Sequence, residues 1–333
     1  MRTNKLARVL LAFLIIAPFW FMRHRAWERS KPVPGSIPIR AGTIVTAKAI
    51  GTAFDINRWT PPSDSEIPAD SLGASIRRGL ALVTHTTDSL PHFAPGHINC
   101  VNCHRDGGRN PDAAPLAGAQ ARFPKFMERT GAVITLADRI NYCFTRSLGG
   151  NKLPHESREM ADIIAYVAFI SRGVPVGAAT HGYDGLHKMS KPLTGDTARG
   201  AKLFTTTCAA CHGFDGQGGP IVPAVWGPKS YAIGASMARE ERAASFIWYN
   251  MPLGKGRSLT EQQAFDVASY INSMPRPDSP GKELDYPAGN APMDVPYRTA
   301  KHEPYRAPRS LIPRTSREGM VPAPTSVKAR GVQ

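Results

Sequence analysis

The sequence predicts a mostly α-helical chain of two tandem units built on one plan, and three observations predict it. The motif C-x-x-C-H occurs twice, as Cys100-Val101-Asn102-Cys103-His104 and as Cys208-Ala209-Ala210-Cys211-His212. Each copy follows a short helical stretch that holds a glycine, Gly79 or Gly200, and precedes a longer one that holds a tyrosine, Tyr166 or Tyr270. The motifs begin at 100 and 208, 108 residues apart, and the tyrosines at 166 and 270 are 104 apart, as expected of one unit present twice.

C-x-x-C-H sets two thiols close enough to bond the two vinyl groups of one porphyrin, with a histidine beside them to reach the iron. A zinc site or a redox disulfide uses similar residues, but two full copies point to two covalently bound haem c groups. The thioethers then come from Cys100, Cys103, Cys208 and Cys211, and one axial ligand of each iron from His104 and His212. A chain of 333 residues has room for about two domains. Its 42% apolar residues can form a core, while 30 Pro and 30 Gly put much of the chain in loops and turns. The net charge of +15 is compatible with nucleic acid, an anionic membrane or an anionic substrate. No helix-turn-helix, zinc-finger or RNP-like signature accompanies that charge, so no nucleic acid is expected.

Residues 1–30 read as an export signal kept as an anchor. Arg2, Lys5 and Arg8 precede the apolar run Val9 to Met22, no small-x-small cleavage site follows, and Arg23-His24-Arg25 comes at once. The run is short of the roughly 20 residues of a full span, which snorkelling flanks can extend. A periplasmic protein held on the inner membrane is the expectation, with a cleaved signal as the rival. Residues 31–69 form an irregular lead-in with Pro32, Pro34, Pro38, Pro61 and Pro62.

The first domain is placed at 70–176. A helix over Ser71–Val83 carries Leu72, Ile76, Leu80 and Val83 on one stripe, and a long loop with Pro111, Pro115 and Pro124 leads on to Thr135. The closing helix shows Met160, Ile163, Ile164, Val167 and Ile170 at helical spacing and stops at Gly173 and Pro175. A linker spans 177–195, and the second domain 196–278. There Asp196 caps a helix through Gly200, Leu203 and Phe204. Thr260 and Gln263 form a capping box for a closing helix with Ala264, Val267, Ala268 and Ile271 inward. Residues 279–333 are a Pro-rich basic extension, aperiodic and, from Arg298, expected to be disordered.

An N-terminal helix crossing a C-terminal one, with a glycine against an aromatic ring, resembles the class I cytochrome c fold in both units. Two tandem class I cytochrome c-like domains, each with one haem c, are therefore expected. Tyr249-Asn250-Met251-Pro252-Leu253-Gly254 resembles the methionine-ligand loop of those cytochromes. A thioether is soft, neutral and raises the reduction potential, so Met251 is the expected sixth ligand of the second iron, ahead of Met237 and Met274. The other use of a methionine here is core filling. Met251 lies 39 residues beyond His212, and Cys143 lies 39 beyond His104. Five cysteines less four thioethers leave only Cys143, which is either a buried apolar thiol or, by this offset, the second axial ligand of the first iron. A thiolate there lowers the potential, so electrons are expected to pass from haem 1 to haem 2 and on to an external acceptor.

The run from Leu136 to Gly150, Leu-Ala-Asp-Arg-Ile-Asn-Tyr-Cys-Phe-Thr-Arg-Ser-Leu-Gly-Gly, resembles the active-site segment of the dihaem thiosulfate dehydrogenases. It is similar, less completely, to the SoxA subunit of the sulfur-oxidation system. The likeness extends through Asn99–Arg109 and Met251–Pro277. It implies that Cys143 is catalytic and axial to the catalytic haem, and that two thiosulfates are coupled to tetrathionate, some members favouring the reverse direction. It also implies that Arg129, Arg139 and Ser147, with Arg146 close by, hold the anion. Neutralising haem propionates is the other role open to these arginines. Some relatives carry a lysine before the methionine; Asn250 stands there, and no lysine exchange on that iron is expected. The acceptor would be a small c-type cytochrome or another periplasmic carrier. A membrane-anchored dihaem electron carrier without catalysis and a SoxA-like sulfur-transfer subunit are the alternative functions.

Overall fold

Asp70 opens the first helix: its carboxylate accepts a hydrogen bond from Gly73 N at 2.8 Å, satisfying a first-turn amide. The computed structural model describes residues 54, 56–178, 180 and 185–304, all within one compact unit. The expected anchor at 1–30 lies outside the described residues, as do most of the lead-in and residues 305–333. Among the described residues no helix is long and apolar enough to cross a membrane.

The described α-helices are α1 (Ser71–Thr84), α2 (Thr86–Ser89), α3 (Cys100–Cys103), α4 (Leu136–Arg146), α5 (Arg158–Phe169), α6 (Thr197–Leu203), α7 (Ala209–His212), α8 (Glu240–Asn250) and α9 (Glu261–Ser273). Strands β1 (Lys125–Met127) and β2 (Ala132–Ile134) pair as an antiparallel hairpin. The chain is thus mostly helical, in two cytochrome c folds.

Each fold is a crossing of its first and last helices. Helix α1 meets α5 at Gly79, where a Cβ would fall 2.0 Å from the Asp162 carbonyl oxygen and 2.7 Å from Tyr166 Cβ. Helix α6 meets α9 at Gly200, where the corresponding distances are 1.9 Å to Asp266 O and 2.8 Å to Tyr270 Cβ. Only glycine allows this approach. Beside each glycine an arginine clamps the same aspartate: Arg78 reaches Asp162 at 2.7 and 2.8 Å, and Arg199 reaches Asp266 at 2.7 and 2.8 Å. The cores behind the crossings hold Ile76, Val83, Met160, Ile163, Val167 and Ile170 in the first unit, and Phe204, Trp226, Ala264, Val267, Ala268 and Ile271 in the second.

Several expectations change. Leu72, expected on the buried stripe, is 58% exposed; Gly73 faces inward instead, against the Pro68 carbonyl. The expected long loop before Thr135 contains the β-hairpin, and neither α4 nor α8 was among the expected elements. Residues 177–195 are not a free linker where described, because Met189 packs in the second core and Ser245 Oγ donates to His187 O at 2.8 Å. The extension after 278 lacks long regular elements, yet through Pro304 it is no loose tail. Tyr286, Val295 and Tyr297 bury against Ile233, and Asp285 is 1% exposed.

Candidate haem pockets and the Cys143 site

In the first unit, α3 presents Cys100 and Cys103 one turn apart, and Thr86 Oγ1 donates to Cys100 Sγ at 3.2 Å. His104 follows as the C-cap, its Nδ1 donating to the carbonyl of Ala114. In the second unit a π-helical turn, Phe204–Cys208, widens the helix just where Cys208 leaves it. Cys211 and His212 continue in α7, and His212 Nδ1 donates to Pro223 O at 3.0 Å. In each unit a backbone carbonyl thus fixes the tautomer and leaves Nε2 for a metal, the usual support of a ligating imidazole. Burial lowers the His212 pKa, outweighing the Pro223 bond, and keeps the ring in its neutral, ligating form. All five cysteines are free, with no disulfide. Burial pushes the thiols of Cys100, Cys103 and Cys208 up to about 11, 12 and 11. Two free thiol pairs, each with an adjacent oriented histidine, are the donor set that covalent haem c requires.

Cys143 is different. It lies in α4, which starts with a capping box: Asp138 N donates to Thr135 Oγ1 at 3.2 Å, and Thr135 N to Asp138 Oδ2 at 2.9 Å. One turn earlier on the same face, Arg139 Nη1 donates to Cys143 Sγ at 2.9 Å. Burial raises the Cys143 pKa, but the Arg139 charge and the His104 ring outweigh it and lower it to about 6. The group therefore lies within reach of His104 and favours the thiolate. Ser147 caps the C-terminus of α4 one turn beyond Cys143, and its backbone N–H donates to Cys143 O at 2.8 Å.

Arg129 and Arg146 converge instead on Asp285, which reaches them from the C-terminal strap. Arg129 stands in the β1–β2 turn; its Nε donates to Asp285 Oδ2 at 2.9 Å, and its Nη2 to Gly234 O at 2.6 Å and Tyr297 OH at 2.5 Å. Arg146 gives Nη2 to Asp285 Oδ1 at 2.9 Å and to Gly281 O at 2.7 Å, and Nη1 to Pro280 O at 2.7 Å. Tyr142, the neighbour of Cys143, also donates to Asp285. Burial would raise the Asp285 pKa, but Arg146 and Arg129 hold it below the ordinary carboxylate value. Asp285 is thus a residue of this site that the sequence reading missed.

Asn250 ends α8 directly before Met251 and is 4% exposed. Its Nδ2 donates to Asp112 O at 2.8 Å and Phe246 O at 3.1 Å, so its side chain is engaged across the seam between the units. Met251 packs on the second core.

Comparison with known proteins agrees with this architecture. The family "SoxA/TsdA, cytochrome c domain" matches residues 94–176, and the family "Cytochrome c" matches 197–275. The chain is 39% identical over 273 residues to a thiosulfate dehydrogenase of Psychrobacter arcticus, covering 80% of this chain and 83% of that protein. It is 40% identical over 228 residues to a thiosulfate dehydrogenase of Allochromatium vinosum, covering 66% and 84%. The solved structure of thiosulfate dehydrogenase (TsdBA) from Marichromatium purpuratum matches with a TM-score of 0.63 at 36% identity, over 68% of this chain. This chain spans about half of that one, 51%. With two cytochrome c domains holding two haem c groups, the chain belongs to the thiosulfate dehydrogenase family.

Proposed function

We propose that this chain oxidises thiosulfate, joining the terminal sulfurs of two thiosulfate dianions in one S–S bond. The product is tetrathionate, and two electrons are released. The observation that carries the reading is Cys143, a half-buried sulfur that accepts from Arg139 Nη1 at 2.9 Å, lies within reach of His104 and has its pKa lowered to about 6 by both. The named activity of the relatives at 39 and 40% identity supports it.

In this reading His104 and Cys143 would hold the iron of the haem c in the first unit, and His212 and Met251 that in the second. The haem groups supply one-electron acceptors for the two released electrons, ahead of a small c-type cytochrome or similar carrier. The protein's own task is to hold two dianions together against their repulsion, and guanidinium groups suit oxyanions because they bind them bidentately. Arg139 and Ser147 flank Cys143 on one face of α4, and the Arg129 guanidinium lies 5.3 Å from the ring centre of Tyr142, the neighbour of Cys143. Arg146 gives both terminal nitrogens to the strap and serves as support rather than as an anion ligand. We place the protein in the periplasm, anchored by its N-terminal segment.

Steady-state turnover with thiosulfate and ferricyanide tests the proposal. The wild type turns over; Cys143→Ala, purified with both haems attached, does not. No turnover by the wild type, or full turnover by the variant, refutes it. Wild-type activity that appears only with a partner complex would favour the sulfur-transfer alternative.

A further inference from the structure

Two polar groups of the second unit are buried without a partner. Among the described residues Ser230 Oγ and Arg276 Nη1 find no hydrogen-bond partner, although Ser230 is 4% and Arg276 3% exposed. The segments that carry them meet: Gly227 N donates to Pro275 O at 2.6 Å, and Ser230 N donates to Gly227 O at 3.1 Å. The rest of Arg276 is fixed. Its guanidinium carbon lies 4.3 Å from the centre of the Tyr231 ring, and its Nη2 donates to Ile271 O at 2.7 Å and Asn272 Oδ1 at 3.1 Å. Among the described residues no carboxylate pairs with this buried cation. A buried charge in that state is expensive unless an anion completes it.

The place narrows the choice of anion. Tyr231, with Ala235 and Ala238, packs against Ile98 and Leu148 of the first unit, and it lies near Cys103. Met237, whose carbonyl accepts from Asn272 Nδ2 at 3.1 Å, packs both on this seam and on the second core with Met251. The orphaned donors therefore sit at the seam, against residues that pack on both haem-bearing units. Each haem c carries two propionate carboxylates, the acid groups closest to hand that no side chain supplies.

We infer that Arg276 and Ser230 form a carboxylate site for a haem c propionate at the seam between the two units. Arg276 Nη1 gives a charge-assisted hydrogen bond and Ser230 Oγ a second, neutral one. The inference rests on the two haem c groups alone and is independent of the substrate. Its chemistry fits a propionate of either haem. A fixed positive charge beside a propionate favours the reduced iron and raises the potential of that haem.

The test is a spectroelectrochemical titration of the full protein with both haems attached, for the wild type, Arg276→Gln, Arg276→Lys and Ser230→Ala. Arg276→Gln should make one haem about tenfold harder to reduce, 59 mV for a one-electron couple. Arg276→Lys should recover most of that shift, and Ser230→Ala should move the same couple less, in the same direction. The two couples differ in absorbance if one haem is thiolate-ligated and the other methionine-ligated, so the one that moves identifies the haem. Unmoved couples in Arg276→Gln at full haem content, or equal shifts in Gln and Lys variants, overturn the inference. If Arg276→Gln does not yield folded protein, unmoved couples in Ser230→Ala overturn it.

Discussion

Arg139 and Cys143 are four residues apart on one helix, and that spacing sets the guanidinium on the sulfur. The bond is charge-assisted, a class worth about 1.5–3 kcal/mol. Arg139→Ala should therefore lower kcat/KM for thiosulfate by about 10- to 100-fold. Arg139→Lys should lose less, because it keeps the charge but not the fork. Steady-state kinetics with both haems retained decide it, and an unchanged kcat/KM would remove Arg139 from the site. Arg146, three residues after Cys143, behaves differently because its donors are taken by Pro280, Gly281 and Asp285. Replacing it by alanine should cost stability first and substrate affinity only through loss of the fold around α4.

At the level of elements, the strap is what a sequence reader would discard. It lacks periodicity, and it follows the last residue, 275, matched by the cytochrome c family. Yet it delivers Asp285 between two buried guanidiniums. Asp285→Ala leaves both without their carboxylate and should cost about 3–5 kcal/mol, read as a lower denaturant midpoint. Because the folded pKa of Asp285 lies below 3.8, its contribution is present above that value and is lost as pH falls through the folded one. The helix crossings allow an independent prediction. A methyl group at Gly79 would press on Asp162 O and Tyr166, and one at Gly200 on Asp266 O and Tyr270. Each Gly→Ala change should destabilise by about 1–3 kcal/mol or more, seen in thermal melts of the holoprotein.

Over the whole molecule, the segment before the second domain is tied to α8 by Glu240, whose Oε1 accepts from Gly195 N at 2.8 Å. Burial pushes the Glu240 pKa from 4.5 up to about 7, against the lowering effect of that bond. Since the folded value exceeds the unfolded one, the contribution of the protonated form is full below about 4.5 and is lost as pH rises through about 7. Melting temperatures measured across that window should fall with rising pH in the wild type. In Glu240→Gln, which keeps the acceptor oxygen and cannot ionise, the decline should be shallower.

The fold and its two haem c groups were legible because their signals are local. Two thiols and a histidine within five residues, a glycine in one helix and a tyrosine in another, and the Thr260–Gln263 cap each follow from spacing along the chain. A repeated Arg-Gly before each motif, and an Asp four residues before each crossing tyrosine, were also present and would have shown the Arg–Asp clamps. The partners of Arg129 and Arg146 were not legible. Asp285 lies 156 and 139 residues beyond them, and ion pairs at that separation leave no period in a sequence. The same holds for Ser230 and Arg276, whose want of a partner among the described residues exists only once both are buried. Covalent haem attachment depends on neighbours in the chain, so the sequence sufficed for it; which arginines a carboxylate binds depends on neighbours in space, and only the folded structure decided that.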